Sequence, residues 1–169
     1  PVQLADGPHV VAATAQDQAG NTSALSPNRS FSIDTAPPAT PVIQSPANGG
    51  VTNDNTPLVS GSAEPNATVR LFRDGQLAGT AFADASGSWN LGLGALPDGT
   101  YTLRAQAVDE AGNVGGLSNT TTFSIDTTRP NPPVVQSPVD GSRVNTPRPT
   151  VTGTAEPGST VTVRFDNVV

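Results

Sequence analysis

Residues 31–35 of this chain read Phe-Ser-Ile-Asp-Thr, and residues 123–127 read Phe-Ser-Ile-Asp-Thr again. Placing residues 1–77 over residues 93–169, a shift of 92 without a gap, gives 33 identical positions out of 77. The matches include many Gly, Pro and Asp residues, which chance does not align in one register. A period of 92 residues exceeds the roughly 20–50 residues of a solenoid repeat. The sequence therefore predicts a small domain that is copied along the chain.

Proline clusters follow both copies of this stretch and mark the predicted seams. Residues 36–38 read Ala-Pro-Pro, and residues 129–133 read Arg-Pro-Asn-Pro-Pro. Proline fixes φ and favours extended chain, so each cluster predicts a short stiff connector. The predicted organisation is the C-terminal part of one repeat at 1–35, a complete repeat at 36–127 and the N-terminal part of the next at 128–169. Because the first residue is not an initiator Met, we expect an excerpt of a longer chain or a processed product.

Every segment of the complete repeat reads as β-strand. Residues 68–73 alternate and are followed by Asp74-Gly75, a strong hairpin signal. Residues 101–107 alternate over seven positions. Shorter strands are predicted near residues 41–43, 58–61, 80–83, 89–91 and 121–125. With no apolar period of 3.6 residues, about seven short strands predict an all-β fold, an immunoglobulin-like Greek-key β-sandwich repeated in tandem.

Two aromatic positions support the sandwich. Tyr101 follows Leu-Pro-Asp-Gly-Thr at the start of a long strand, as in the tyrosine corner of Greek-key sandwiches, and His9 occupies the same slot in the first copy. Because His9 aligns with Tyr101, we expect its ring to pack and its nitrogen to bond the backbone. No Gly-x-Ser-x-Gly motif surrounds a serine, so we predict no catalytic role for His9. Trp89, the single tryptophan, starts an alternating strand and is predicted to lie in the core.

Composition excludes several classes of protein. The net charge of −6 and the pI near 4.4 argue against binding to a phosphate backbone, so no nucleic-acid partner is predicted. The absence of Cys excludes disulfide scaffolds, thiolate metal sites and Cys nucleophiles. The segment contains no run of 18 apolar residues, so we predict that it does not insert into a membrane. The carboxylates form no evident catalytic pair, so we predict no enzyme, no catalytic residues and no cofactor-binding residues.

Three stretches carry a resemblance to a known family. Residues 109–113 (Asp-Glu-Ala-Gly-Asn), 123–127 and 153–161 (Gly-Thr-Ala-Glu-Pro-Gly-Ser-Thr-Val) resemble the tandem bacterial Ig-like repeats of giant secreted adhesins and other cell-surface proteins. The resemblance runs in phase over the whole chain. It implies a structural spacer or stalk at the bacterial surface or outside the cell, whose partners are the neighbouring repeats. It does not identify a host or matrix ligand.

The same resemblance implies a candidate cation site. Some relatives bind Ca²⁺ near domain junctions, much as cadherins do. The matching positions beside the seams are Asp17, Asn21, Asp34, Asp109, Asn113 and Asp126. The residues themselves leave two interpretations open: Ca²⁺ at one or both seams, or a tight Asp-x-Ala-Gly-Asn turn in which Asp bonds its own backbone. Unless the two strands differ in length, their ends lie at opposite ends of the sandwich, so a single cage of Asp109 and Asp126 is not required. The alternative is that Asp109 faces the preceding seam beside Asp34.

Two alternative functions also stay open. Residues 128–169 of one molecule are open to completion by residues 1–35 of another, a head-to-tail strand complementation that builds a filament. That composite domain lacks the equivalent of residues 78–92. The third hypothesis is a glycan- or protein-binding Ig-like module, for which an aromatic content of 4% is low.

Overall fold

The computed structural model describes residues 2–166, which form thirteen β-strands and contain no helix, and therefore no helix that could span a membrane. The strands are β1 Gly7–Val11, β2 Arg29–Ile33, β3 Val42–Ser45, β4 Gly50–Thr52, β5 Leu58–Ser62, β6 Thr68–Arg73, β7 Gln76–Phe82, β8 Ser88–Gly92, β9 Gly99–Val108, β10 Val114–Leu117, β11 Thr121–Ile125, β12 Val134–Ser137 and β13 Thr152–Thr154. The chain divides into two compact units, Pro1–Thr127 and Thr128–Val169. The finer division at residues 35 and 36 stays a prediction.

Strands β3 to β11 form a two-layer sandwich. One sheet has the order β3-β5-β8, and the other has the order β4-β11-β9-β6-β7, with β10 paired to the C-terminal half of β9. All neighbours are antiparallel except β4 and β11, which run parallel. The remaining strands form two separate two-stranded sheets, β1-β2 and β12-β13. The predicted all-β, Ig-like sandwich is confirmed.

The hairpin of β6 and β7 shows how the sequence sets the register. Asp74 and Gly75 have φ values of 51° and 80°, the left-handed pair that a two-residue hairpin turn requires. The turn pairs Arg73 with Gln76. Because side chains alternate along a strand, this register turns Val69 and Leu71 into the core.

Two strands were missing from the sequence prediction. Strand β4 is three residues long, and β10 carries two consecutive glycines, so neither shows an alternating apolar pattern. Strand β10 follows directly on the Asp109–Asn113 turn, whose backbone hydrogen bonds end at Asn113, and residues 114–117 pair with β9.

A single apolar core joins the two sheets. Val59 and Trp89 contribute from the three-stranded sheet, while Leu71, Leu103 and Phe123 contribute from the larger one. Trp89 is 2% exposed, which confirms its predicted place in the core. Position 61 beside it has to be glycine, because a Cβ there would overlap the Val42 carbonyl oxygen and the indole ring. The core is closed by close backbone approach as well as by side-chain volume.

Contacts in the central sandwich recur 92 residues earlier. The pairing of Gly99 with Ile125 in β9-β11 repeats as Gly7 with Ile33 in β1-β2. The Tyr101 hydroxyl donates to the Pro97 carbonyl oxygen at 2.7 Å, and His9 Nε2 lies 2.7 Å from the carbonyl oxygen of Ala5. The two rings also stack alike, His9 on Phe31 at 5.5 Å and Tyr101 on Phe123 at 5.7 Å between centroids. His9 therefore fills the corner position, as its alignment with Tyr101 predicts.

Replacing a core leucine of the central sandwich should lower its stability far more than replacing a surface leucine. Leu71 is fully buried, whereas Leu77 on the neighbouring strand is 58% exposed. We expect L71A to lower the free energy of unfolding by about 2–5 kcal/mol, because it removes buried apolar surface and leaves a cavity. L77A should cost less than about 1 kcal/mol. Urea unfolding followed by Trp89 fluorescence measures both variants, and equal losses would contradict the assigned core.

Candidate functional site

Two turns of the same sequence pattern carry four of the six predicted site residues. In the first turn, Asp17 Oδ1 accepts the backbone N–H groups of Ala19 and Asn21, both at 2.9 Å. Asp17 Oδ2 accepts from the Asn21 side-chain amide at 2.9 Å. Gly20 adopts a φ of 92°, which a residue with a Cβ rarely reaches. The carboxylate thus closes its own loop.

The second turn repeats this arrangement in the central sandwich. Asp109 Oδ1 accepts the Asn113 backbone N–H at 2.8 Å, and Asp109 Oδ2 accepts the Asn113 amide at 2.9 Å. Gly112 has a φ of 93°, matching Gly20. Both Asp109 carboxylate oxygens are therefore hydrogen-bond acceptors inside the turn, which is the chemistry of the turn interpretation.

These hydrogen bonds shift the acidity of both carboxyl groups. The Asn21 side-chain amide, followed by backbone N–H groups, lowers the pKa of Asp17 below its usual 3.8. At Asp109, partial loss of solvent acts to raise the pKa, but the hydrogen bonds from the Asn113 side chain and backbone outweigh it and lower the pKa. The charged form of each carboxyl group is the form that the turn binds.

The structure brings Asp34 to the second turn. The Asn113 side-chain amide donates to the backbone carbonyl oxygen of Asp34 at 3.0 Å, across 79 residues of sequence. The Asp34 carboxylate accepts the backbone N–H of Ala36 at 3.0 Å, so it caps the start of the connector. Asp34, Asp109 and Asn113 thus meet at one seam.

Asp126 lies away from this seam. It follows β11, whose last residue Ile125 pairs with Gly99 at the first residue of β9, whereas Asp109 follows the last residue of β9. Ten residues of strand separate the two ends, roughly 30 Å. The Asp17–Asn21 turn belongs to the first segment. No three His, Cys, Asp or Glu side chains converge within residues 2–166. A Ca²⁺ site at the six residues stays a prediction.

Sequence reasoning missed a second pair of repeated carboxylates. Asp6 accepts the backbone N–H of Thr35 at 3.3 Å and the Thr35 hydroxyl at 3.0 Å. Asp98 makes the same contacts with Thr127, at 3.0 Å and 2.8 Å. The repeated Asp-Gly and Asp-Thr pairs were visible signals, but only the fold shows that they meet. Each pair fixes the chain just after a strand, β2 in the first case and β11 in the second.

The Asp109 turn should make the central sandwich sensitive to acid. A carboxyl group with a lowered pKa in the folded state adds stability above its unfolded pKa, and this stability is lost as the pH falls through the folded value. We therefore expect stability to decline below about pH 4 in the wild type. The decline should be shallower in D109N, which should also be less stable than the wild type at pH 7. Urea unfolding of Trp89 fluorescence between pH 7 and pH 2 measures both.

The matched control for this experiment is E110Q, which changes a carboxylate that takes no part in the hydrogen bonds of the turn. It should keep the wild-type slope of stability against pH. An acid decline in D109N as steep as in the wild type would contradict the role given to Asp109.

Comparison with known proteins agrees with this architecture. Residues 45–127 match the family model described as Bacterial Ig-like domain. Bacillopeptidase F of Bacillus subtilis (strain 168) is 31% identical over 115 residues, which is 68% of this chain but 8% of that protein. The chain thus spans a small part of its curated relative.

Solved structures with partial likeness include two small modules. CopC from Methylosinus trichosporium OB3b gives a TM-score of 0.37 at 16% identity, over 51% of this chain and 93% of that chain. The fibronectin(III)-like modules of Clostridium thermocellum CbhA give 0.40 at 14% identity, over 52% and 96%. The family match covers β4 to β11 of the sandwich described above. The central part of this chain is therefore an Ig-like domain.

Proposed function

We propose that this chain is a non-catalytic spacer of a larger extracellular or surface protein, in which copied Ig-like domains provide reach and mechanical stability. The observation that carries this proposal is the recurrence of the same contacts 92 residues apart, on either side of a proline connector. A domain that is repeated together with the contacts at its connector determines how far the chain extends. A domain of this size adds roughly 40 Å of length, since strands rise about 3.3 Å per residue.

The distribution of polar groups supports a structural role. Within residues 2–166, the carboxylates that carry lowered pKa values are Asp17, Asp84 and Asp109, and each accepts hydrogen bonds from its own turn. Hydrogen bonds within each turn account for these lowered pKa values, so the three carboxylates act as parts of the turns. The sandwich between them is filled by apolar side chains. We infer that the domain has a structural role that depends on its folded shape.

The matched relative supports a place within a larger protein. Bacillopeptidase F is named as a peptidase, and the matched stretch is 8% of its length. An Ig-like spacer fits beside a catalytic domain as well as beneath an adhesive tip. The adhesin-like stalk remains our preferred context, on the strength of the repeated joints.

Pulling on the chain tests the spacer proposal. We expect the central domain to unfold in one step, because its two sheets share one core. Release of 92 residues should lengthen the chain by roughly 290 Å, the extended length minus the folded length. Single-molecule force spectroscopy of the full chain measures this step. L71A should lower the unfolding force without changing the step length. Gradual extension without such a step would contradict a mechanical role.

A specific observation favours the filament as a second candidate. Apolar residues of the terminal segments are exposed where their counterparts 92 positions away are buried. Phe31 is 43% exposed and Phe123 is 1% exposed, while Val161 is 49% exposed and Val69 is fully buried. The counterparts are covered by strands of their own domain. A second copy of this chain carries the same strands, since residues 1–35 repeat the sequence pattern of residues 93–127.

The second unit contains a groove of suitable character. A cavity of about 350 Å³ lies between β12-β13 and residues 161–164, and the apolar part of its lining includes Val134, Val135, Val151, Val161 and Val163. The positions equivalent to Val161 and Val163 are Val69 and Leu71, which belong to the same apolar core as Leu103 and Phe123. Residues 1–35 of another molecule offer Val11 and Phe31 at those positions.

Sedimentation velocity tests the filament candidate. It predicts species heavier than the 17.0 kDa monomer that grow with concentration. V163D should abolish them, because it places a charge in the apolar groove. V139D is the control, since Val139 is 70% exposed and lies outside that groove. A wild-type chain that stays monomeric up to about 1 mM would exclude this candidate.

A further inference from the structure

The connector before the central domain packs against one end of the central sandwich. This end, which carries the Asp109–Asn113 turn and the start of β10, is called the pole below. Pro38 and Pro41 are buried. The Asn113 amide reaches the Asp34 carbonyl oxygen at 3.0 Å. Beside it, a Cβ on Gly115 would lie 2.5 Å from the Pro38 carbonyl oxygen, and one on Gly116 would lie 3.2 Å from the Thr40 hydroxyl oxygen. The connector therefore follows the start of β10 at backbone distance.

We propose that Asn113 and Gly115 form a docking site that locks the preceding connector in place without a bound ion. The partner that fits the site is the segment Asp34–Pro41, which ends one repeat and begins the next. The lock fixes the direction in which one repeat follows another. Its consequence for reach rests on the proposed spacer function, but the docking contact itself does not.

The hydrogen bonds of Asn113 explain how the lock holds without a cation. A side-chain amide has two N–H donors. Asn113 Nδ2 donates to Asp109 Oδ2 at 2.9 Å and to Asp34 O at 3.0 Å, so both donors are used. The amide links a carboxylate to a backbone carbonyl, two oxygens of the kind that a junction Ca²⁺ would otherwise draw together. The turn and the connector are thus joined by a neutral group.

Gly115 supplies the room that the contact requires. It is buried, and its carbonyl oxygen accepts the Gln106 side-chain amide at 3.0 Å, which holds the start of β10 against β9. Any side chain at this position meets the Pro38 backbone, which cannot rotate away as a flexible side chain would. The connector can approach closely only where residue 115 is glycine.

The first copy of the turn provides an internal contrast. Asn21 stands at the position of Asn113, but Ser23 stands at the position of Gly115. Ser23 uses its hydroxyl as acceptor for the Ala15 N–H at 2.9 Å and as donor to the Ala24 carbonyl oxygen at 2.9 Å. The first turn therefore has the asparagine amide, but it carries a serine side chain where the second turn has glycine.

Limited proteolysis of the full chain tests the lock. Proteinase K cleavage between Ala36 and Thr40, located by mass spectrometry, reports how often the connector leaves the pole. We expect N113A to be cleaved about fivefold faster than the wild type, the effect of losing one hydrogen bond. G115S, which copies the serine of the first turn, should also be cleaved faster, because its side chain displaces Pro38. Trp89 fluorescence verifies that each variant keeps its folded core.

The control is N21A, which removes the same turn contacts from the first copy and should leave connector cleavage at the wild-type rate. Millimolar Ca²⁺ or EDTA should not change the wild-type rate. The proposal is overturned if N113A or G115S is cleaved no faster than N21A, or if Ca²⁺ slows wild-type cleavage. Those outcomes would leave the spacer proposal standing, because its test is the unfolding step under force.

Discussion

Strand β9 is the element on which the rest of the sandwich depends. Its ten residues pair with β6 on one side and with β11 and β10 in succession on the other. Its inward side chains at Leu103 and Ala105 are fully buried, and they alternate with outward polar residues. A chain with little aromatic content cannot fill a wide interior, so the sheets must approach closely. The small residues of β9 and the bare backbone at Gly61 make that approach sterically allowed.

Charge in this protein is used to shape turns. Asp17, Asp84 and Asp109 each bind N–H groups two to four residues ahead, and Asp6 and Asp98 each bind a threonine at the end of a repeat. Carboxylates in such positions replace the backbone partners that a strand loses where it ends. Part of the acidic composition is thus explained by the number of strand ends at which a carboxylate accepts backbone N–H groups. Within residues 2–166, the indole N–H of Trp89 is the buried side-chain polar group that has no hydrogen-bond partner.

Strand bounds could be predicted from the sequence wherever apolar residues alternate and turn residues stand beside them. Strands β6 and β11 were predicted at their observed bounds, since alternation and adjacent turn residues define them. The short strands β4 and β10 were missed, because three residues or two glycines carry no period and their pairing depends on β11 and β9. The six candidate site residues were recognised as turn and seam residues. The bond from Asn113 to Asp34 joins groups 79 positions apart, and only the folded chain shows it.

The parallel pairing of β4 with β11 has a consequence for how the domain resists tension. Gly50, Val51 and Thr52 lie opposite Phe123, Ser124 and Ile125, with flanking hydrogen bonds from Gly49 N–H to Thr122 O at 2.7 Å and from Asp126 N–H to Thr52 O at 2.9 Å. In the proposed spacer, tension would pull β4 toward the preceding repeat and β11 toward the following one. Because the two strands point the same way, such a load shears their hydrogen bonds together, whereas an antiparallel pair pulled from one end would unzip bond by bond.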